Sequence, residues 1–173
     1  MTLPNALSAA RALLVIPVIG LIATGDAPLA LALFLAAAAT DALDGPLARR
    51  RGTTAFGAAL DPFADKILVV GSLAALAIRG IAPAWAVLLV LARELVAIEV
   101  RARSPHAVSA SADGKAKTVL QVAAVALLLA AAAWPATGLA ATANATLVAA
   151  TALTLLSGVR LVLRARQTTP DAA

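Results

Sequence analysis

Two short stretches concentrate acidic residues within an otherwise alanine- and leucine-rich chain: residues 40–49, Thr-Asp-Ala-Leu-Asp-Gly-Pro-Leu-Ala-Arg, and residues 57–66, Gly-Ala-Ala-Leu-Asp-Pro-Phe-Ala-Asp-Lys. The aspartates are three residues apart in the first stretch and four apart in the second. On helices these spacings place each pair on one face with its carboxylates adjacent. The sequence therefore predicts two acidic helix faces, formed by Asp41, Asp44, Asp61 and Asp65.

Both pairs adjoin apolar runs, where an ionised side chain at the centre of a bilayer costs about 2.5–3.5 kcal/mol. Carboxylates that converge also repel each other and take up protons unless a cation lies between them. A divalent metal ion near a membrane surface removes both difficulties, and hard oxygen ligands favour Mg²⁺, Mn²⁺ or Ca²⁺. The four aspartates are therefore predicted to form a metal site.

The composition predicts a polytopic membrane protein. Of the 173 residues, 62% are hydrophobic and only 13% are charged, which is more apolar surface than a soluble domain of this length buries. The chain has no cysteine, which excludes disulfides and thiolate chemistry. Because only 3% of residues are aromatic, a nucleic-acid binder that stacks on bases is not expected. The net charge of +5 is instead typical of residues that anchor cytoplasmic loops.

A span of about 20 apolar residues divides the chain into six predicted transmembrane helices. They cover residues 10–24, 28–48, 56–79, 81–101, 117–134 and 138–162. The predicted fold class is all-α, with six transmembrane helices and a short N-terminal interfacial helix, in a single domain over residues 1–166 that precedes a disordered tail at 167–173. Arginines and lysines cluster after the second, fourth and sixth spans, so both termini and the aspartates are expected on the cytoplasmic side.

The two acidic stretches also carry a family resemblance. Asp-x-x-Asp-Gly-x-x-Ala-Arg over residues 41–49, followed by Gly-x-x-x-Asp-x-x-x-Asp over residues 57–65, resembles the signature of the CDP-alcohol phosphotransferases. These are membrane enzymes that join a phosphatidyl group from CDP-diacylglycerol to an alcohol. Between Arg49 and Gly57 this chain has one residue fewer than is usual in that family, which shortens the link between the aspartate pairs.

The resemblance implies roles for individual residues of this signature. Two divalent ions, Mg²⁺ or Mn²⁺, are expected on the metal ligands Asp41, Asp44, Asp61 and Asp65. Asp65 is also expected to act as the catalytic base that accepts the proton of the attacking hydroxyl. Nucleotide binding is expected from Asp41, Gly45, Ala48 and Arg49.

A second resemblance concerns the acceptor alcohol. Arg93-Glu94, the following Arg101, and Gly-Lys-x-Lys-Thr over residues 114–118 resemble elements of the family branch that uses sn-glycerol 3-phosphate. Arginine suits bidentate recognition of phosphate, and Glu94 or Glu99 would hold such an arginine in position. The resemblance implies that an anionic acceptor is held by Arg93, Arg101, Lys115 and Lys117.

Each of these basic residues also has a simpler interpretation. Arg93 and Glu94 are equally typical of a buried ion pair between neighbouring helices, since charges within membrane segments usually pair. The lysines are typical of cytoplasmic anchoring. The residues alone leave both interpretations open.

The implied partners are CDP-diacylglycerol, sn-glycerol 3-phosphate, the lipid bilayer and a second copy of the chain, in the inner membrane of a bacterium. Phosphatidylglycerol and an inositol phosphate are alternative acceptors. Two other classes remain: an intramembrane prenyltransferase, which also holds magnesium-bound pyrophosphate on aspartate pairs, and a divalent-cation transporter. The Gly-x-x-Ala-Arg element argues against the first, and the nearly apolar fifth and sixth spans argue against the second.

Overall fold

The described part of the chain forms six α-helices and contains no strand. The computed structural model describes residues 3–51, 55–103 and 112–168, and side chains within residues 12–40, 66–100 and 116–167. The helices are α1 Leu3–Thr24, α2 Ala27–Arg51, α3 Ala55–Ile78, α4 Ala84–Arg103, α5 Ala112–Ala133 and α6 Leu139–Thr168, with a 3₁₀ turn at Pro135–Thr137 before α6. The predicted all-α class and the six helices are confirmed. Apart from its first two residues, the tail predicted at 167–173 lies outside the described residues.

The predicted interfacial helix is not a separate element. α1 is continuous from Leu3 to Thr24, because the alanine-rich sequence over residues 6–13 favours helix and contains no residue that would end one. The N-terminal segment therefore enters the bundle as the first turns of α1.

The helices pack as two groups of three. α1 contacts α2 and α3, α6 contacts α4 and α5, and the groups meet where α2 packs on α5 and where α3 packs on α4 and α5. A contiguous apolar core lies between them. Its largest fully buried apolar side chains are Phe34, Leu73, Leu76, Leu128, Leu129 and Leu147.

Tight turns join α1 to α2 and α3 to α4. Gly25 and Gly80 have φ values of +90° and +71°, in the left-handed region that favours glycine. Each follows the last turn of its helix in a Schellman motif, in which the next N–H bonds back to the helix. After Gly25, for example, the N–H of Asp26 donates to the Leu21 carbonyl at 3.0 Å.

Arg79 connects these two turns. Its Nη1 donates to the Ala23 carbonyl at 3.1 Å, which satisfies a terminal carbonyl of α1. Beside Arg79 lies a cavity of about 190 Å³ whose lining comes from α1, α2 and α3 and from Leu129 and Ala132 of α5. The two turns and the C-terminal end of α5 therefore share one end of the bundle, which we call the turn end, and the aspartate-bearing parts of α2 and α3 extend away from it.

Two helices of the described chain are long and apolar enough to cross a bilayer, over Ala116–Ala133 in α5 and Leu139–Gln167 in α6. Of each window 33% is buried within the bundle, and the outward side chains of α6 include the exposed Val148, Leu156 and Val159. α1, α2 and α3 contribute shorter apolar stretches among the described residues. Helix α4 is continuous, but Arg93 and Glu94 interrupt its apolar sequence. Six membrane crossings stay a prediction.

Candidate functional site

The aspartate pairs lie on helical backbone, as their spacing requires. Asp41 and Asp44 belong to α2, and Asp61 and Asp65 belong to α3. Because only residues 52–54 separate the helices, Arg51 and Ala55 lie within about 15 Å of each other. Both pairs therefore lie in the parts of α2 and α3 that adjoin this link.

Several predicted site residues have side chains outside the described part. They are Asp41, Asp44, Gly45, Ala48, Arg49, Asp61, Asp65, Arg101 and Lys115. Among the side chains that are described, no group of three potential metal ligands occurs. The predicted metal and nucleotide sites are therefore untested and stay predictions.

A cluster of charged side chains lies between α3, α4 and α5, and Glu94 of α4 is at its centre. Glu94 Oε1 accepts from Lys117 Nζ of α5 and from Arg93 Nη1, the latter at 2.9 Å. Glu94 Oε2 forms an ion pair with Lys66 Nζ of α3 at 3.0 Å. We call Lys66, Arg93, Glu94 and Lys117 the charged cluster.

Helix α6 also contacts Arg93, through Ser157. The guanidinium Nη2 donates to Ser157 Oγ at 2.9 Å, and Ser157 Oγ donates in turn to the Thr154 carbonyl at 3.0 Å. Gln121 Nε2 of α5 donates to Thr154 Oγ1 at 2.9 Å. Side chains of α4, α5 and α6 are thus joined in one polar network.

Most of this cluster is buried. Arg93, Glu94 and Lys117 are 8%, 6% and 7% exposed, whereas the Lys66 side chain is 27% exposed. Among the described side chains, the ion pairs of the three cations converge on one carboxylate, so within this set three positive charges face one negative charge. Buried charge is costly unless it is compensated, and this surplus of cations among the described side chains is suited to an anionic ligand.

The structure brings two of the four predicted acceptor residues together. Arg93 and Lys117 share Glu94 Oε1. Arg93 and Glu94 form a buried ion pair with each other within α4, and the ion pairs expected between neighbouring helices are those of Glu94 with Lys66 of α3 and Lys117 of α5. Because a buried cation paired in this way can still contact an anion, the pairing leaves the acceptor role a prediction.

Sequence reasoning assigned no role to Lys66, Thr154 or Ser157. Lys66 directly follows Asp65, so its ion pair joins α4 to the aspartate-bearing part of α3. A signal was present in α6, since Ser157-Gly158 is a polar and a small residue in an apolar helix, a combination typical of close helix contact. That pattern does not predict that the contacting helix is α4.

Comparison with known proteins places the chain in a family. The sequence model of the CDP-alcohol phosphatidyltransferases matches residues 1–162. The chain therefore belongs to the CDP-alcohol phosphatidyltransferase family, and the resemblance of its aspartate signature is confirmed.

Three relatives illustrate the similarity. A probable phosphatidylglycerophosphate synthase of Mycobacterium tuberculosis is 38% identical over 137 residues, which is 78% of this chain and 64% of the relative. The CDP-diacylglycerol--glycerol-3-phosphate 3-phosphatidyltransferase of Bacillus subtilis is 42% identical over 101 residues, 56% of this chain and 52% of the relative. A probable CMP-forming cardiolipin synthase of Drosophila melanogaster is 41% identical over 98 residues, 55% of this chain and 30% of the relative. The matched segments thus span less than two thirds of each relative.

Proposed function

We propose that this protein transfers the phosphatidyl group of CDP-diacylglycerol to sn-glycerol 3-phosphate, giving phosphatidylglycerophosphate and CMP. The observation that carries the proposal is the charged cluster, in which three cations share one carboxylate next to the aspartate-bearing part of α3. Membership of the family supports the reaction class. The names of the Mycobacterium and Bacillus relatives support the acceptor.

In this reaction the acceptor hydroxyl attacks the phosphorus of the phosphatidyl group. A new P–O bond forms, the bond from that phosphorus to the oxygen of CMP breaks, and CMP leaves with the electron pair. Asp65 accepts the proton of the hydroxyl, as a carboxylate held beside an attacking alcohol can do. Asp41, Gly45, Ala48 and Arg49 hold the nucleotide, where small residues let it approach the α2 backbone.

The donor set fits divalent metal ions. Four carboxylates on two adjoining helices offer the hard oxygen ligands that Mg²⁺ and Mn²⁺ prefer, so Asp41, Asp44, Asp61 and Asp65 would hold two such ions. When bound, the ions neutralise the pyrophosphate and stabilise the leaving CMP.

The acceptor phosphate binds at the charged cluster. A phosphate monoester carries about −1.5 to −2 charges at pH 7, so it is attracted to a site where the cations outnumber the carboxylate among the described side chains. Arg93 and Lys117 line this site with Arg101 and Lys115. A neutral alcohol would leave the excess charge unbalanced, so an anionic acceptor is favoured.

The bundle resides in a bacterial inner membrane with six crossings, as a homodimer, and its site faces the cytoplasm. Outward apolar side chains such as Ile16, Ile78 and Leu88, which are 70%, 88% and 63% exposed, are suited to lipid contact. The arginines and lysines of the loops give the orientation. A reporter fused to the C-terminus should be active in the cytoplasm; activity only outside it would contradict this topology.

Phosphatidylglycerol is the second candidate acceptor, because the Drosophila relative is named a cardiolipin synthase and this lipid is also anionic. An inositol phosphate fits the same charge. The prenyltransferase and transporter interpretations gain no support from the family match.

The test is CMP release by the purified protein in detergent with CDP-diacylglycerol. Glycerol 3-phosphate, phosphatidylglycerol, inositol 1-phosphate and no acceptor are compared, each with Mg²⁺ and with a chelator. We expect release that requires both glycerol 3-phosphate and the metal. Release with another acceptor would contradict the proposed specificity, and absence of release with every acceptor would contradict the proposed reaction.

A further inference from the structure

Two residues of α6, Ser157 and Gly158, lie against the Arg93 side chain. Ser157 Oγ accepts from Arg93 Nη2 at 2.9 Å, and the other terminal nitrogen donates to Glu94. Both ends of the guanidinium are therefore held, one from α4 itself and one from α6.

The hydroxyl of Ser157 has a fixed orientation. Its proton is donated to the Thr154 carbonyl at 3.0 Å, so its lone pairs face Arg93. The Thr154 hydroxyl accepts a hydrogen bond from Gln121. Gln121 lies in α5, one helical turn after Lys117. This chain of hydrogen bonds sets the position of Arg93 relative to α5 as well as α6.

Gly158 sets how closely Arg93 approaches α6. A Cβ at position 158 would lie 2.9 Å from Arg93 Cγ and 3.5 Å from its Nε. Cγ is near the root of the side chain, and the far end is fixed by two hydrogen bonds, so Arg93 cannot move aside without losing one of them. Only glycine allows the observed arrangement.

We propose that Ser157 and Gly158 are positioning residues for Arg93, which they orient to receive the phosphate monoester of the acceptor. The inference rests on the proposed function. Neither residue needs to contact the acceptor, because each acts through the guanidinium. Packing of small residues between helices is the competing explanation, and it predicts no selective effect on one substrate.

The experiment measures CMP release by purified full-length variants, with KM determined separately for glycerol 3-phosphate and CDP-diacylglycerol. Ser157→Ala should raise the KM for glycerol 3-phosphate about fivefold, since it removes one neutral hydrogen-bond acceptor. Gly158→Ala should raise it more, and the KM for CDP-diacylglycerol should not change.

Matched controls come from the same chain. Ser72 is fully buried, and its hydroxyl has no hydrogen-bond partner among the described residues, so Ser72→Ala should leave both KM values unchanged. A Cβ at Gly20, in α1, would meet nothing within 4 Å, so Gly20→Ala should leave both KM values unchanged. A KM rise in these controls equal to that in the α6 variants would overturn the proposal.

A double variant separates positioning from packing. If Ser157 acts only through Arg93 Nη2, then Ser157→Ala should have no further effect on the KM once Arg93→Lys has removed that nitrogen. Additive effects would overturn the proposal, and so would an unchanged KM for glycerol 3-phosphate in Ser157→Ala. Wild-type protein without release dependent on glycerol 3-phosphate would instead overturn the proposed function, and the inference with it. If Gly158→Ala does not fold, the Ser157 variants decide.

Discussion

The turn end and the charged cluster use ionised side chains in different ways. At the turn end, Arg79 is exposed and donates to a terminal carbonyl of α1, and Asp26 accepts from the Leu29 N–H at 3.2 Å as a cap of α2. Each charge there satisfies a helix terminus, a role that neutral side chains also perform. In the charged cluster, the buried cations outnumber the one carboxylate with which they pair among the described side chains, which is more charge than packing requires.

We propose that this difference marks where the molecule binds anions. A charge at a helix terminus remains in contact with solvent and contributes modestly. A buried excess of positive charge is unfavourable until an anion arrives, so it is retained where an anionic ligand binds. Matched substitutions at the turn end and in the functional site should therefore differ in their effects on activity, stability and KM.

The largest difference is expected between two aspartates. Asp65→Asn should reduce CMP release by at least about 100-fold, because a general base contributes about 10²–10⁴-fold and this residue is also a proposed metal ligand. Asp26→Asn at the turn end should retain activity, since asparagine also caps helices. The measurement is CMP release at saturating substrates, and a fully active Asp65→Asn would remove this residue from the mechanism.

A second comparison concerns two glutamates of α4. Glu94→Gln leaves three cations without the carboxylate that they share, and breaking a buried ion pair costs about 3–5 kcal/mol. Thermal denaturation in detergent should show a large fall in melting temperature. Glu99→Gln is the control: the Glu99 side chain is exposed, and loss of an ion pair at an exposed carboxylate costs no more than about 1 kcal/mol. Equal losses in the two variants would mean that Glu94 does not hold the charged cluster together.

The smallest effect is expected from a glycine at the turn end. Gly80 has φ +71°, so Gly80→Ala should cost about 1–2 kcal/mol of stability without changing the KM for either substrate. Gly20→Ala, in the interior of helix α1, should instead stabilise the protein by up to about 1 kcal/mol. Thermal denaturation of both variants tests whether Gly80→Ala lowers the stability and Gly20→Ala raises it, and kinetics give the KM values. A changed KM in Gly80→Ala would place the turn end in the functional site.

The helices were predictable because each contains a long apolar run, and their turns carry glycine and proline. Helix α1 begins at Leu3, before the span predicted from residue 10, since hydropathy marks where a helix enters an apolar environment and not where helical hydrogen bonding begins. For α2 and α3 the aspartate spacing predicted helical backbone, and the helices do continue through both pairs. The number of helices does not give the number of membrane crossings, because charged residues interrupt the apolar sequence of α4 and the apolar stretches of α1, α2 and α3 are short.

The candidate site was predictable in part. Arg93 and Lys117 were recognised from their surrounding motifs and do meet at Glu94. Lys66 and Ser157 were missed because their roles depend on partners that only the packing of α3 and α6 against α4 supplies. Gly158 is a related case: its importance comes from the close approach of Arg93, which has no signature in the sequence of either helix.

The comparison of the two regions is tested most directly by the same substitution in each, Arg93→Gln and Arg79→Gln, with the KM for glycerol 3-phosphate measured by CMP release. Loss of a charge-assisted hydrogen bond to phosphate costs about 1.5–3 kcal/mol, so Arg93→Gln should raise this KM at least about tenfold. Arg79→Gln should leave it unchanged. Equal KM values in the two variants would contradict the assignment of the acceptor phosphate to the charged cluster.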